Sequence, residues 1–140
     1  MKWDRRFLDL ATTVSEWSRD PSTKVGAVIT TNEHRILSLG FNGFPRGVAD
    51  DEARYEDRYV KLKLVCHAER NALDNAHFDV TGATIYTTLF PCNECAKSII
   101  QRGIKRVVSP KFTLDEIDRY GWSHSLLMFT EAGVEVCEIQ

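Results

Sequence analysis

The chain has 140 residues, of which 43% are hydrophobic and 27% charged, and its formal net charge is −2. That length supports one domain with its own core, assigned here to residues 1–140, and leaves little room for a second. The slightly acidic balance argues against a protein that grips a nucleic-acid backbone, and no apolar run approaches the ~20 residues of a membrane span, so neither nucleic acid nor membrane is expected as a partner.

Trp3, Phe7, Leu10, Val14 and Trp17 recur at helical spacing and predict an amphipathic helix with one buried face. Asp20-Pro21-Ser22 ends it, because proline disfavours helix at the residue before it. Val25 to Thr30 reads as a strand, Asn32-Glu33-His34 as a turn and Arg35 to Phe41 as the returning strand of a hairpin. Asn42 to Gly47 is dense in turn formers. The charged stretch from Asp50 to Lys63 reads as an exposed, partly helical excursion. His67 to Ala76 predicts a helix, Thr84 to Leu89 a strand, Cys92 to Arg102 a helix capped by Gly103, and Arg106 to Ser109 a strand. Trp122 to Glu131 predicts the last helix, ended at Ala132-Gly133, and Val134 to Ile139 the last strand. Strands alternating with helices after an opening hairpin predict a three-layer α/β/α sandwich around a mixed five-stranded sheet.

The chemistry is concentrated in His67-Ala68-Glu69 and Pro91-Cys92-Asn93-Glu94-Cys95. One imidazole and two thiolates make three zinc ligands, and three protein ligands leave the fourth tetrahedral position open to water. Cys92 and Cys95, three apart at a helix start, project to one side of the first turn, and the helix N-terminus favours their thiolate forms. Glu69 is then free to move protons. Alone, a CxxC pair is equally a redox pair or half of a structural zinc site, and an HxE triplet occurs by chance. Together, in this order and with a strand between them, they point to one catalytic Zn2+. Cys66 is a poor fourth ligand, because neighbours on a helix diverge by ~100°. Cys66 and Cys137 read as small core residues. His34, His77 and His124 read as surface or packing residues. The N-terminal Met1-Lys2-Trp3-Asp4-Arg5-Arg6 has no apolar run after its basic start, unlike a secretory signal, so a reducing cytoplasm is expected.

The HxE and PCxxC pair resembles the signature of zinc nucleobase deaminases. The likeness extends through Ser18-Arg19-Asp20-Pro21-Ser22-Thr23-Lys24-Val25-Gly26-Ala27-Val28-Ile29, Gly40 to Gly47, Cys66 to Ala72, Pro91 to Lys97 and Gly103-Ile104-Lys105. On these segments the chain resembles the deoxycytidylate deaminase family. The resemblance implies hydrolysis of dCMP to dUMP and ammonia, supplying dUMP for thymidylate synthesis, with Glu69 as the catalytic proton shuttle. It implies that the Ala68 N–H holds the pyrimidine O2, that Asn42 contacts sugar or phosphate, and that Ser22 and Lys24 help to hold the phosphate. It further implies a hexamer regulated by dCTP and dTTP, with Asn42, Gly43, Arg46, Gly47, Asp50 and Asp51 at the regulatory nucleotide and Mg2+ beside an aspartate. Some members carry a second zinc held by cysteines and an acid two residues before the ligand histidine. Val65 and Asp20-Pro21 stand at those places, so one zinc is expected. The family's phosphate-holding tyrosine after the fourth strand is missing from Ser109-Pro110-Lys111-Phe112-Thr113, and no tyrosine follows until Tyr120. Alternative readings are deamination of dCTP, of free cytosine or a nucleoside, or of a tRNA base, and a catalytically silent nucleotide sensor.

Overall fold

The computed structural model describes residues 2–140; Met1, the first residue of the N-terminal hexapeptide, lies outside the described residues. The elements in chain order are α1 (Lys2–Ser15), β1 (Gly26–Thr30), β2 (Ile36–Phe41), α2 (Glu52–Glu56), α3 (Arg58–Leu64) and α4 (Ala68–Asn75). They continue as β3 (Thr84–Thr87), α5 (Asn93–Gln101), β4 (Arg106–Pro110), α6 (Leu114–Tyr120), α7 (Ser123–Ala132) and β5 (Glu135–Ile139). The strands form one five-stranded mixed sheet in the order β2-β1-β3-β4-β5. β1 runs antiparallel to both neighbours, while β3, β4 and β5 are parallel. The expected hairpin and mixed sandwich are both present.

Alternation along the central strands divides the core in two. Ala27, Ile29, Ile85 and Val107 face a cluster that includes Ala68, Ala72 and Leu73 of α4, Ala96 and Ile99 of α5, and Phe129 of α7. Val28, Tyr86 and Val108 face the opposite way, against Phe7, Leu8 and Ala11 of α1. With helices on both faces, β1 is buried along its whole length. Two glycines permit the closest approaches. A Cβ on Gly26 would lie 2.0 Å from the Ala11 carbonyl oxygen, and one on Gly40 would lie 2.3 Å from the Ala72 nitrogen. A side chain at either position would push α1 or α4 off the sheet.

Three expectations are corrected. The buried face of α1 is Asp4, Phe7, Leu8, Ala11, Val14 and Ser15, while Trp3 and Trp17 are exposed and Trp17 lies beyond the helix end. Asp4 turns inward because Arg106 grips it through both carboxylate oxygens, at 2.8 and 2.6 Å, and the Tyr86 hydroxyl donates to it at 2.8 Å. Both lone cysteines are half-buried free thiols: Cys137 packs against the α1-side cluster as expected, whereas Cys66 lies outside both core clusters. The stretch after β4 contains a helix, α6, absent from the sequence reading. Its start is marked by a reciprocal capping box between Thr113 and Glu116.

Candidate metal and catalytic centre

Strand directions gather the site at one edge of the sheet. β2 and β3 both end there and β1 begins there, since Gly26 pairs with Phe41 and Ala27 with Thr87. The chain leaving β3 passes through Pro91 directly into α5, the crossover to parallel β4, so the α5 N-terminus opens at the carboxyl end of the strand. The Ser125 hydroxyl of α7 pins this approach by donating to the Pro91 carbonyl at 2.9 Å. The entry to α4 is tied to the end of β2. Gly43 and Cys66 exchange backbone hydrogen bonds of 3.1 and 2.7 Å, and the Asn71 amide donates to the Phe41 carbonyl at 2.8 Å. Two helix starts therefore meet. His67 is the N-cap of α4 and Cys92 the N-cap of α5.

His67 Nδ1 lies 3.5 Å from Cys92 Sγ and 3.3 Å from Cys95 Sγ. One candidate ligand atom from each of the three residues lies within 4.8 Å of the other two. A tetrahedral zinc with bonds of ~2.0 Å to nitrogen and ~2.3 Å to sulfur spaces its ligand atoms by about 3.5 Å. The donor set and its separations both fit zinc. Cys66 is not in the cluster, so three protein ligands converge among the described residues. A hydrogen bond from Cys95 and the neighbouring imidazole draw the Cys92 thiol down to about 4. Donating that bond, together with burial, pushes Cys95 up, and the bond to Cys92 raises His67. The lowered Cys92 thiol beside a raised imidazole sets a thiolate against an imidazolium, and a bound dication would displace the protons held by the cluster.

Glu69 sits in the first turn of α4 and is 4% exposed. Burial pushes its carboxyl up to about 7; a bound dication would act in the opposite direction. No other residue donates a hydrogen bond to its side chain, which borders a cavity of 290 Å³, close to the lower end of the ~300–1,000 Å³ usual for small-ligand sites. His67, Ala68, Cys92 and Asn42 border the same cavity. As the first residue of α4, Ala68 has a backbone N–H without an intrahelical acceptor, and the His67 side chain makes no capping bond in its place. A larger hollow of 550 Å³ between α5 and α7 carries Lys97 and Glu131 but none of these groups.

The remaining expected residues separate. Asn42 reaches the cavity, but its amide is mostly engaged: Oδ1 accepts from Val25 N at 2.8 Å, and Nδ2 donates to the Thr23 carbonyl at 2.9 Å and to Asp20 at 3.4 Å. The Ser22 hydroxyl bonds Asp20 at 3.1 Å and accepts from Lys61 at 3.0 Å. Lys24 is exposed and does not border the cavity. In the loop after β2, Arg46 is exposed and Gly47 has φ 87°. Asp50 accepts from the Tyr55 hydroxyl at 3.0 Å, and Asp51 caps α2 by accepting from Ala53 N. Both carboxylates thus already have structural partners.

Sequence reasoning missed Arg58, Lys61 and Leu62 of α3 and Tyr120 of α6, all of which border the cavity. Tyr120 stacks on Trp122 with ring centroids 4.8 Å apart. Phe112, in the segment where the expected tyrosine is missing, packs instead against Phe90 at 4.8 Å and Trp122 at 5.5 Å. The Thr113–Glu116 capping box could have revealed α6. No local signal marks Arg58 or Lys61 within a charged, exposed stretch.

The sequence profile of the cytidine and deoxycytidylate deaminase zinc-binding region matches residues 1–110. The chain is similar to an uncharacterized deaminase in the luxG 3' region of Aliivibrio fischeri, 47% identical over 137 residues that cover 96% of this chain and 92% of the relative. It is 39% identical over 140 residues to the deoxycytidylate deaminase of Homo sapiens, covering 96% of this chain and 78% of that one. The crystal structure of dCMP deaminase from cyanophage S-TIM5 in complex with dCMP and dUMP superposes with a TM-score of 0.79 at 27% identity, covering 99% of this chain and 97% of that one.

Proposed function

The chain belongs to the cytidine and deoxycytidylate deaminase family, and from that premise we propose that it is a single-domain deaminase, residues 1–140, that hydrolyses dCMP to dUMP and ammonia. The carrying observation is the convergence of His67, Cys92 and Cys95 beside the buried Glu69 at a cavity suited to a small ligand. His67, Cys92 and Cys95 would hold one Zn2+, which would lower the pKa of water from near 16 towards ~7. The Ala68 N–H holds the pyrimidine O2. Glu69 takes a proton from the attacking water and delivers it to ring N3 while the water oxygen bonds to C4. It then carries the second proton to the 4-amino nitrogen. The C4–N bond breaks, ammonia leaves, and C4 keeps the oxygen as a carbonyl. Asn42 presents its remaining acceptor lone pair to the sugar, with Ser22 and Lys24 near the phosphate entrance.

The cytoplasm suits two thiolate ligands that need reducing conditions. Oligomer formation, a hexamer by resemblance, is supported by exposed apolar side chains such as Trp17 and Phe41, whose rings meet edge to face at 6.2 Å. Regulation by dCTP and dTTP, with Gly43 at the base of the loop, rests on the exposed Arg46 and on Gly47, where no neighbouring atom crowds the backbone and a phosphate can approach. Mg2+ would enter with the nucleotide by displacing one of the bonds now made by Asp50 or Asp51.

The test is ammonia release from dCMP, dCTP, deoxycytidine, cytosine and tRNA, with dCTP and dTTP titrated against the best substrate. The expected result is the highest kcat/KM with dCMP. Turnover of the nucleoside or tRNA with little dCMP activity would reject the substrate, and full zinc with no turnover of any cytosine compound would reject the enzyme.

A further inference from the structure

α3 buries none of its residues, and α2 is its one substantial partner among the described helices and strands, yet Arg58, Lys61 and Leu62 all border the catalytic cavity. One side chain accounts for its position. Lys61 Nζ lies 2.8 Å from Asp20 Oδ2, 3.1 Å from Oδ1 and 3.0 Å from the Ser22 hydroxyl. The Asp20 side chain is 1% exposed and also accepts from Ser22 N, the Ser22 hydroxyl, Thr23 N and the Asn42 amide. The carboxylate therefore binds the loop after α1, the end of β2 and α3 to one point. Its charge neutralises Lys61. Arg58 lies one turn earlier on the same face of α3 and differs: it borders the cavity but has no hydrogen-bond or ion-pair partner among the described residues. A guanidinium presents a planar fork suited to two phosphate oxygens, and it keeps its charge at every physiological pH.

We propose that α3 is the charge-selecting element of this cavity: Arg58 binds the phosphate of the nucleotide, and the Lys61–Asp20 pair is the pin that positions it. The inference rests on the reading of the substrate as a pyrimidine mononucleotide. It makes Arg58 the group that separates nucleotide from nucleoside, and Lys61 a positioning residue that acts through α3 without touching substrate. Asp20 has enough donors around it to keep the loop after α1 in place when Lys61 is removed, so the loss falls on α3.

The experiment compares steady-state kinetics on dCMP and deoxycytidine for the zinc-loaded wild type, Arg58→Ala, Lys61→Met and Lys61→Arg, with zinc content and near-UV circular dichroism as checks on folding. Arg58→Ala is expected to shrink the ratio of kcat/KM for dCMP to that for deoxycytidine by about 10–100-fold, the range for losing a charged hydrogen bond, and to do so through KM. Lys61→Met is expected to raise KM for dCMP with kcat nearly kept, and Lys61→Arg to recover most of it. An unchanged ratio in Arg58→Ala overturns the selector. An unchanged KM in Lys61→Met, or a Lys61→Arg variant as poor as Lys61→Met, overturns the pin. Absence of wild-type turnover on dCMP would instead remove the underlying reading of the substrate.

Discussion

The floor and the rim of the cavity are built differently. The floor consists of His67, Glu69, Cys92 and Cys95 on α4 and α5, whose apolar faces lie in the main core. The rim consists of α3 and α6, two seven-residue helices with no buried residue. The chemical groups stand on helices packed into the core, and recognition sits on segments held by a few polar or aromatic contacts. The difference is energetic. A floor helix moves only if core side chains repack, at about 1–3 kcal/mol or more, whereas a rim helix is held by contacts of the order of 1 kcal/mol each.

The comparison can be tested from the floor outward. Glu69→Gln keeps the shape of the floor but removes its proton carrier. Turnover should fall by about 10²–10⁴-fold, while zinc content and unfolding midpoint stay near wild type. Ammonia release and metal analysis on the same sample decide this, and loss of zinc alongside activity would make Glu69 structural.

Asp4 tests the foundation on the far side of the sheet. Bonding to Arg106 and Tyr86 outweighs the cost of burial and holds its carboxyl below the ordinary value of 3.8. A folded value below the unfolded one stabilises the fold above the unfolded value, and this contribution is lost as pH falls through the folded value. Asp4→Asn should therefore cost about 3 kcal/mol at pH 7, and the gap to wild type should narrow as pH falls below about 4. Urea unfolding at both pH values measures it, and a gap independent of pH would remove the charge pair as the cause.

The smallest effect is expected at the rim. Tyr120→Ala should raise KM for dCMP by only about tenfold and leave kcat within about twofold, since one partly exposed side chain is lost. A collapse of kcat would show that α6 belongs to the floor.

The sequence by itself determined the sheet strands, the helices that carry the ligands and the three ligands with their acid. These are short-range facts: a period of two or of 3.6, a proline before a helix, two cysteines in one turn. It also held an unused local signal in Thr113 and Glu116. Only the tertiary structure decided that Asp4 and not Trp3 faces inward, because Arg106 and Tyr86, its partners, come from distant strands. Only the tertiary structure brought Arg58, Lys61 and Tyr120 to the cavity. A charged residue on an exposed helix looks alike whether it faces water or a substrate, and the Lys61–Asp20 bond closes a loop of 41 residues that no local pattern records. Ligand spacing is local chemistry, whereas the choice of which surface charge meets the substrate depends on where the chain returns.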